Sequence, residues 1–124
     1  YYVSPEILRM PAEIIAELNR AGIQQSEHTR LEDVLGETDV LYVTRIQKER
    51  FTDPEQYEGV KDAFVISPEV MRGAKEKMAL LHPLPRVGEI SMDVDEDPRA
   101  AYFRQMEYGL YVRMALLALV LGKA

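Results

Sequence analysis

Val40-Leu41-Tyr42-Val43-Thr44 is the stretch whose reading decides the fold: it is β-branched or aromatic at most positions and nearly all apolar. A strand wetted on one face alternates polar with apolar residues. An unbroken apolar strand is the pattern of one covered on both faces, as in a parallel sheet. The segment is therefore expected to be a strand buried on both sides. Outward from it, Tyr1–Ser4, Ile23–Ser26, Phe64-Val65-Ile66 and Met78–Leu81 read as further strands, the second of them weak. Helical patterns lie between. Pro11 opens one that runs to Ala21, with Ile14, Ile15 and Leu18 on one face and Gly22 where a terminating glycine belongs. Thr29 and Glu32 have capping-box spacing ahead of a short helix through Val34 and Leu35. Thr52–Lys61 reads as a polar helix. Ser67-Pro68-Glu69 reads as an N-cap with proline at the first helical position, leading to Lys77. Asp97–Leu121 is expected to be mostly one helix, with Phe103, Met106, Leu110, Met114, Leu117 and Leu121 stepping along it and Gly109 as a point of kinking.

Strands alternating with helices predict an α/β fold: an open, mostly parallel sheet flanked by helices (Rossmann-like), ending in a long C-terminal helix. Neither G-x-G-x-x-G nor G-x-x-x-x-G-K-[ST] occurs, so dinucleotide and P-loop readings have no motif support. The 124 residues suffice for one domain. Their 47% apolar and 29% charged composition is that of a globular chain rather than a disordered one. A net charge of −6 argues against nucleic acid as a partner. The absence of cysteine excludes disulfides, thiolate nucleophiles and Cys-type zinc sites, and only 2 histidines argue against a His-rich metal site. The longest apolar run, Met114–Leu121, is far short of the about twenty residues a membrane span needs. A cytoplasmic domain without membrane contact is expected. The chain opens on Tyr1 within a strand pattern, without a methionine or a signal-peptide pattern, and is expected to be a piece of a longer one.

In open α/β sheets, ligands bind beyond the carboxyl ends of the strands. Two segments hold that position. Thr44-Arg45-Ile46-Gln47-Lys48-Glu49-Arg50 follows the central strand; if it stays extended, Arg45 and Gln47 point the same way. An arginine fork grips a carboxylate and a glutamine amide both donates and accepts, a pair suited to an anionic, amine- or amide-bearing small molecule. The alternative is a solvated charged turn. His82-Pro83-Leu84-Pro85-Arg86 follows the strand at Met78–Leu81. Its prolines stiffen the backbone and remove N–H donors, leaving carbonyls that can accept from an amide. The alternative is a structural turn, with His82 packed at a strand end rather than catalytic. Asp93, Asp95, Glu96 and Asp97 lack EF-hand spacing and read as an acidic helix N-terminus, and Tyr102, Tyr108 and Tyr111 as packing residues.

These two loops, together with Val87-x-Glu89-Ile90, Asp93-Val94-Asp95, Ala101-Tyr102-Phe103-Arg104-Gln105 and Arg113-Met114-Ala115-Leu116-Leu117, resemble the aspartate carbamoyltransferase family. The resemblance also takes in Met10-Pro11 and Asp39-Val40-Leu41-Tyr42, and so spans nearly the whole chain. It implies that residues 1–124 are a near-complete aspartate-binding domain, without the family's carbamoyl-phosphate domain, its Ser-Thr-Arg-Thr loop or its catalytic histidine. An aspartate-contacting arginine that the family carries upstream is also missing. It further implies that Arg45 holds a carboxylate of L-aspartate with Gln47 beside it. The carbonyls of Pro83 and Leu84 would receive the carbamoyl amide, with the Leu84–Pro85 bond cis. Arg50 would bridge to the other domain, Arg86 would support the loop, and Arg113 would lie near the aspartate side. No metal or organic cofactor is implied. The family's trimer, and a regulatory chain, are implied partners of a full-length parent. Pro83 stands where the ornithine carbamoyltransferases typically carry cysteine. A non-catalytic binding or assembly module of the same fold is the alternative from another class.

Overall fold

In the computed structural model, which describes residues 1–123, every strand pairing is parallel. Strand β1 (Tyr2–Val3) pairs with β2 (Glu27–His28), and β3 (Val40–Tyr42) pairs with β4 (Ala79–Leu81) in the register Val40–Ala79, Leu41–Leu80, Tyr42–Leu81. Strand β4 lies at the centre of its layer. Leu80 also exchanges hydrogen bonds with the segment before the last helix, donating to Arg99 at 2.9 Å and accepting from Ala101 at 2.9 Å. Leu80 is fully buried, among Leu31, Leu35, Ile66, Met71, Met78, Ile90, Val94, Ala100 and Tyr102. Truncating it to alanine would cost about 2–5 kcal/mol.

The helices are α1 (Ala12–Arg20), α2 (Glu32–Leu35), α3 (Pro54–Glu58), α4 (Pro68–Arg72) and α5 (Tyr102–Val120). Local chemistry sets several of their ends. The Ser67 hydroxyl accepts from the Val70 N–H and Pro68 takes the first helical position; Asp53 and Pro54 do the same for α3. Gly22 sits at φ +71°, the left-handed conformation that terminates α1, with Ile23 N–H returning to the Leu18 carbonyl. Helix α4 stops at Arg72, short of Lys77, because Gly73 follows and Arg99 takes over the carbonyls beyond it. The Arg99 guanidinium donates to the carbonyls of Met71, Ala74 and Lys75 and is clamped by Asp97 at 2.7 Å.

Several expectations need correction. Pro11 caps α1 rather than starting it, and Leu31, not Thr29, precedes α2, with no side-chain cap. The second strand lies at Glu27–His28, not Ile23–Ser26. Phe64-Val65-Ile66 reduces to one bridge, Ile66–Ile90. No α-helix begins at the acidic cluster, which carries only a 3₁₀ turn at Met92–Val94: Asp95 and Asp97 are drawn to Arg86 and Arg99, and α5 starts at Tyr102 and runs through Gly109. Tyr102 is buried but Tyr108 and Tyr111 are exposed. Strand β3 is not covered on both faces either, since Val40 is 56% and Tyr42 53% exposed. The reason is the same for β3 and α5: sequence apolarity reports that a surface seeks cover, and among the described residues little covers these two. Leu110, Met114, Leu117 and Leu121 all lie open to solvent. No helix among the described residues is long and apolar enough to cross a membrane.

Candidate functional site

Residues that follow β1, in one two-stranded sheet, and the parallel pair β3–β4, in the other, line one cleft of about 790 Å³. Ser4 and Pro5 come after β1, Thr44, Arg45, Ile46, Gln47 and Arg50 after β3, and His82, Pro83, Leu84 and Pro85 after β4. The carboxyl-end position follows from parallel pairing: strands running the same way empty their loops on the same side. Arg45 and Gln47 both reach the cleft, although the chain leaves the extended conformation after Gln47 for a single 3₁₀ turn at Lys48–Arg50.

That turn brings Glu49 back onto Arg45. Both ends of the guanidinium fork engage the two carboxylate oxygens, Nη1 at 3.2 Å from Oε2 and Nη2 against Oε1. The Arg45 hydrogen bonds hold the Glu49 carboxyl below its ordinary value, and Glu49 in turn raises the guanidinium's. The pair is exposed, so it contributes little to stability. Its consequence is geometric: a bidentate carboxylate site exists here, and a side chain of the same loop fills it.

The other wall is packed. His82 is 1% exposed. Its backbone N–H donates to Gln105 Oε1 at 3.0 Å, and its ring meets Glu89 Oε1 at 2.7 Å through Nε2. The Leu84 N–H reaches the ring's Nδ1 at 2.8 Å, and the N–H groups of Val87 and Gly88 reach Glu89 Oε2 at 3.1 and 3.0 Å. Burial pushes the Glu89 carboxyl up, but the N–H groups of residues 87–89 and His82 outweigh it and leave it below the ordinary carboxylate value. The Leu84–Pro85 bond is cis. Leu84 itself sits at φ +49°, a left-handed conformation that costs a leucine about 1–2 kcal/mol and persists only where its surroundings enforce it. Among the described residues, the carbonyls of Pro83 and Leu84 accept no backbone hydrogen bond outside the regular elements, so they stand free at the cleft.

Two of the arginines singled out in the sequence lie outside the cleft lining. Arg86 turns away to Asp95, with which it forms a bidentate pair, and donates to the Tyr102 hydroxyl at 3.1 Å. Burial, then the hydrogen bond to Asp95, pushes the Tyr102 phenol up to about 12. Arg113 lies on α5 near Gly109. Two contributions escaped the sequence reading. Ser4 and Pro5 form a third wall, and their place after a parallel strand was the available signal. The His82–Glu89 pair had no signal, because a loop contact between those positions follows neither strand nor helix periodicity.

Fold and cleft together define an α/β ligand-binding domain whose site offers an arginine fork, an amide and free loop carbonyls. Comparison with known proteins narrows this. Residues 1–120 match the sequence profile described as aspartate/ornithine carbamoyltransferase, Asp/Orn binding domain, and the chain belongs to that family. It is 63% identical over 121 residues to multifunctional protein pyr1-3 of Dictyostelium discoideum, covering 98% of this chain and 5% of that one. The catalytic subunit of M. jannaschii aspartate transcarbamoylase superposes with a TM-score of 0.89 at 48% identity, covering 100% of this chain and 41% of that one. The Trypanosoma cruzi aspartate transcarbamoylase superposes with a TM-score of 0.82 at 45% identity, covering 93% and 39%. The chain therefore spans less than half the length of each of these relatives.

Proposed function

We propose that this chain is the aspartate-binding domain of an aspartate carbamoyltransferase, spanning residues 1–124 and acting in pyrimidine biosynthesis. The observation that carries the reading is the convergence of Arg45, Gln47 and the Pro83–Pro85 loop on one cleft, in a chain of this family. The T. cruzi relative was solved with carbamoyl phosphate and aspartate bound. Aspartate suits the cleft here: Arg45 takes one carboxylate with Gln47 beside it, and the free carbonyls of Pro83 and Leu84 take the carbamoyl NH₂. Pro83, where an ornithine enzyme typically carries cysteine, favours aspartate over ornithine.

In the reaction the aspartate amine nitrogen bonds to the carbamoyl carbon, the bond from that carbon to the phosphate oxygen breaks, and the amine gives up a proton as phosphate leaves. This domain contributes orientation and charge complementarity. Carbamoyl phosphate is held by a second domain outside these residues, toward which Arg50 bridges, while Arg86 braces the loop through Asp95 and Arg113 lies toward the aspartate side. The exposed apolar face of α5 finds its cover there, and the parent works as a cytoplasmic homotrimer with room for a regulatory chain. A chain with so much open apolar surface associates in solution; a clean monomer by light scattering at high concentration would count against that cover. The functional test is a carbamoyl-aspartate assay on the chain alone and with a carbamoyl-phosphate domain added. Turnover only in the mixture is expected. Turnover by the chain alone, or none in a mixture that binds, overturns the reading.

A further inference from the structure

We propose that the pair formed by buried His82 and Glu89 is a positioning device for the Pro83 and Leu84 carbonyls, and that it works by holding the imidazole in a single tautomer. The proposal rests on the functional reading above. The Leu84 N–H can only donate, and it lies 2.8 Å from His82 Nδ1. Nδ1 must therefore present its lone pair, which leaves the ring proton on Nε2. Nε2 faces Glu89 Oε1 at 2.7 Å, and an ionised carboxylate is an acceptor only. The two requirements agree. A directional chain runs from the Leu84 N–H through the ring to Glu89, whose second oxygen gathers the Val87 and Gly88 N–H groups. One carboxylate thus ties down both ends of the loop that carries the carbonyls. The low carboxyl value of Glu89 keeps the acceptor end charged. The His82 backbone N–H is tied separately to Gln105 of α5, so the ring hangs from a point with its own hydrogen bond. Leu84, at φ +49°, is the residue this chain has to hold.

Substitutions separate this role from mere packing. Glu89→Gln keeps the shape, but with its oxygen kept on the Val87 and Gly88 N–H groups, the amide NH₂ faces Nε2. The ring must then move its proton to Nδ1, which sets it donor against donor at the Leu84 N–H. His82→Leu fills the space with no acceptor. His82→Asn restores one, since an asparagine oxygen takes the place of Nδ1 and accepts from the N–H two residues on. In the full enzyme carrying this domain, E89Q and H82L are expected to lower kcat and raise the carbamoyl-phosphate KM, for a loss of about 30-fold or more in kcat/KM. The aspartate KM, set by Arg45, moves much less. H82N recovers about tenfold of what H82L loses. Equal activity of H82N and H82L, or wild-type kinetics for E89Q, overturns the proposal; if H82L does not fold, E89Q decides alone. A wild-type enzyme that forms no carbamoyl-aspartate sinks the functional reading instead. In that event the ¹⁵N shifts of the His82 ring decide: protonation at Nε2 in wild type and at Nδ1 in E89Q supports the device, and the same tautomer in both overturns it.

Discussion

The loop after β4 and the loop after β3 face the same cleft but are held by different means. Residues 82–89 are anchored by a buried imidazole, a carboxylate that receives backbone N–H groups, a glutamine from α5 and a left-handed leucine. Residues 44–50 are held by an exposed ion pair within the loop, Arg45 with Glu49, by the turn hydrogen bond from the Arg50 N–H to the Gln47 carbonyl and by Lys48 over the Tyr57 ring. The carbonyl wall is thus built before a ligand arrives, because moving it means breaking several hydrogen bonds at once, those of His82 partly buried. The arginine wall is poised rather than built, since a ligand carboxylate needs only to displace an exposed partner that water already weakens. The difference separates two kinds of residue at one site: those whose loss disturbs function alone, and those whose loss disturbs the fold as well.

The sharpest break of that comparison is Arg45→Ala. It removes the fork that the β3 loop already engages with a carboxylate, and does so without touching the core. In the assembled enzyme, kcat/KM for aspartate is expected to fall by roughly tenfold to several hundredfold, while the melting temperature stays put. Steady-state kinetics beside a thermal melt reads both, and an unchanged kcat/KM removes Arg45 from the site.

Asp95→Asn strikes the opposite kind of residue. It leaves Arg86, largely withdrawn from water, without its counter-charge. Breaking a fully buried pair costs about 3–5 kcal/mol. The Asp95 side chain keeps 28% exposure, so screening brings the expected loss to about 1–2 kcal/mol, several degrees of melting temperature. A melt within a degree of wild type would mean that the pair does not brace the loop.

The same cluster sets a pH window. Arg86 holds the Asp95 carboxyl below its ordinary value and Arg99 does so for Asp97. Their stabilisation is complete above the unfolded value of 3.8 and is lost as pH falls through the lower folded values. Tyr102 works at the other end. Its phenol is raised from 10.0 to about 12, so its contribution is whole below 10.0 and drains away as pH climbs toward 12. Melting temperature against pH should therefore slope down on both sides. Tyr102→Phe should flatten the alkaline slope and, by removing the hydroxyl that donates to Asp95, soften the acid one to a lesser degree; an unaltered alkaline slope would place its origin elsewhere.

The smallest expected effect lies outside both loops. At Gly109 of α5 an added Cβ meets only the tip of Arg113 at 3.4 Å, a flexible group that can give way. Gly109→Ala should stabilise by about 0.5–1 kcal/mol through helix propensity, with the cleft untouched. A denaturant titration that shows a loss would mean that α5 needs the glycine for a close approach.

What the sequence disclosed follows the range of the interactions. Local chemistry was legible: Ser67-Pro68 as a helix start, Gly22 as a helix end, and the loops after Val43 and Leu81 as neighbours on one cleft. So was the parallel character of the strands. Partnership over distance was not. Val40 and Tyr42 carry the apolarity of a covered strand, yet their exposure depends on what packs over them. Thr29 and Glu32 have the spacing of a capping box, but the helix starts after Leu31. The acidic run at 93–97 looked like a helix start because its partners, Arg86 and Arg99, are brought to it by the loop path rather than by any period. His82 was legible as a packed histidine, but its carboxylate partner was not.

The most direct test of this division of labour is a crystal structure of the assembled enzyme with a bisubstrate analogue that carries the aspartate carboxylates. The Arg45 guanidinium is expected on an analogue carboxylate, displaced from at least one Glu49 oxygen. Residues 82–89 are expected in their present conformation, with the His82–Glu89 and His82–Leu84 bonds intact. An analogue bound without Arg45, or a carbonyl loop rebuilt around it, would contradict the claim.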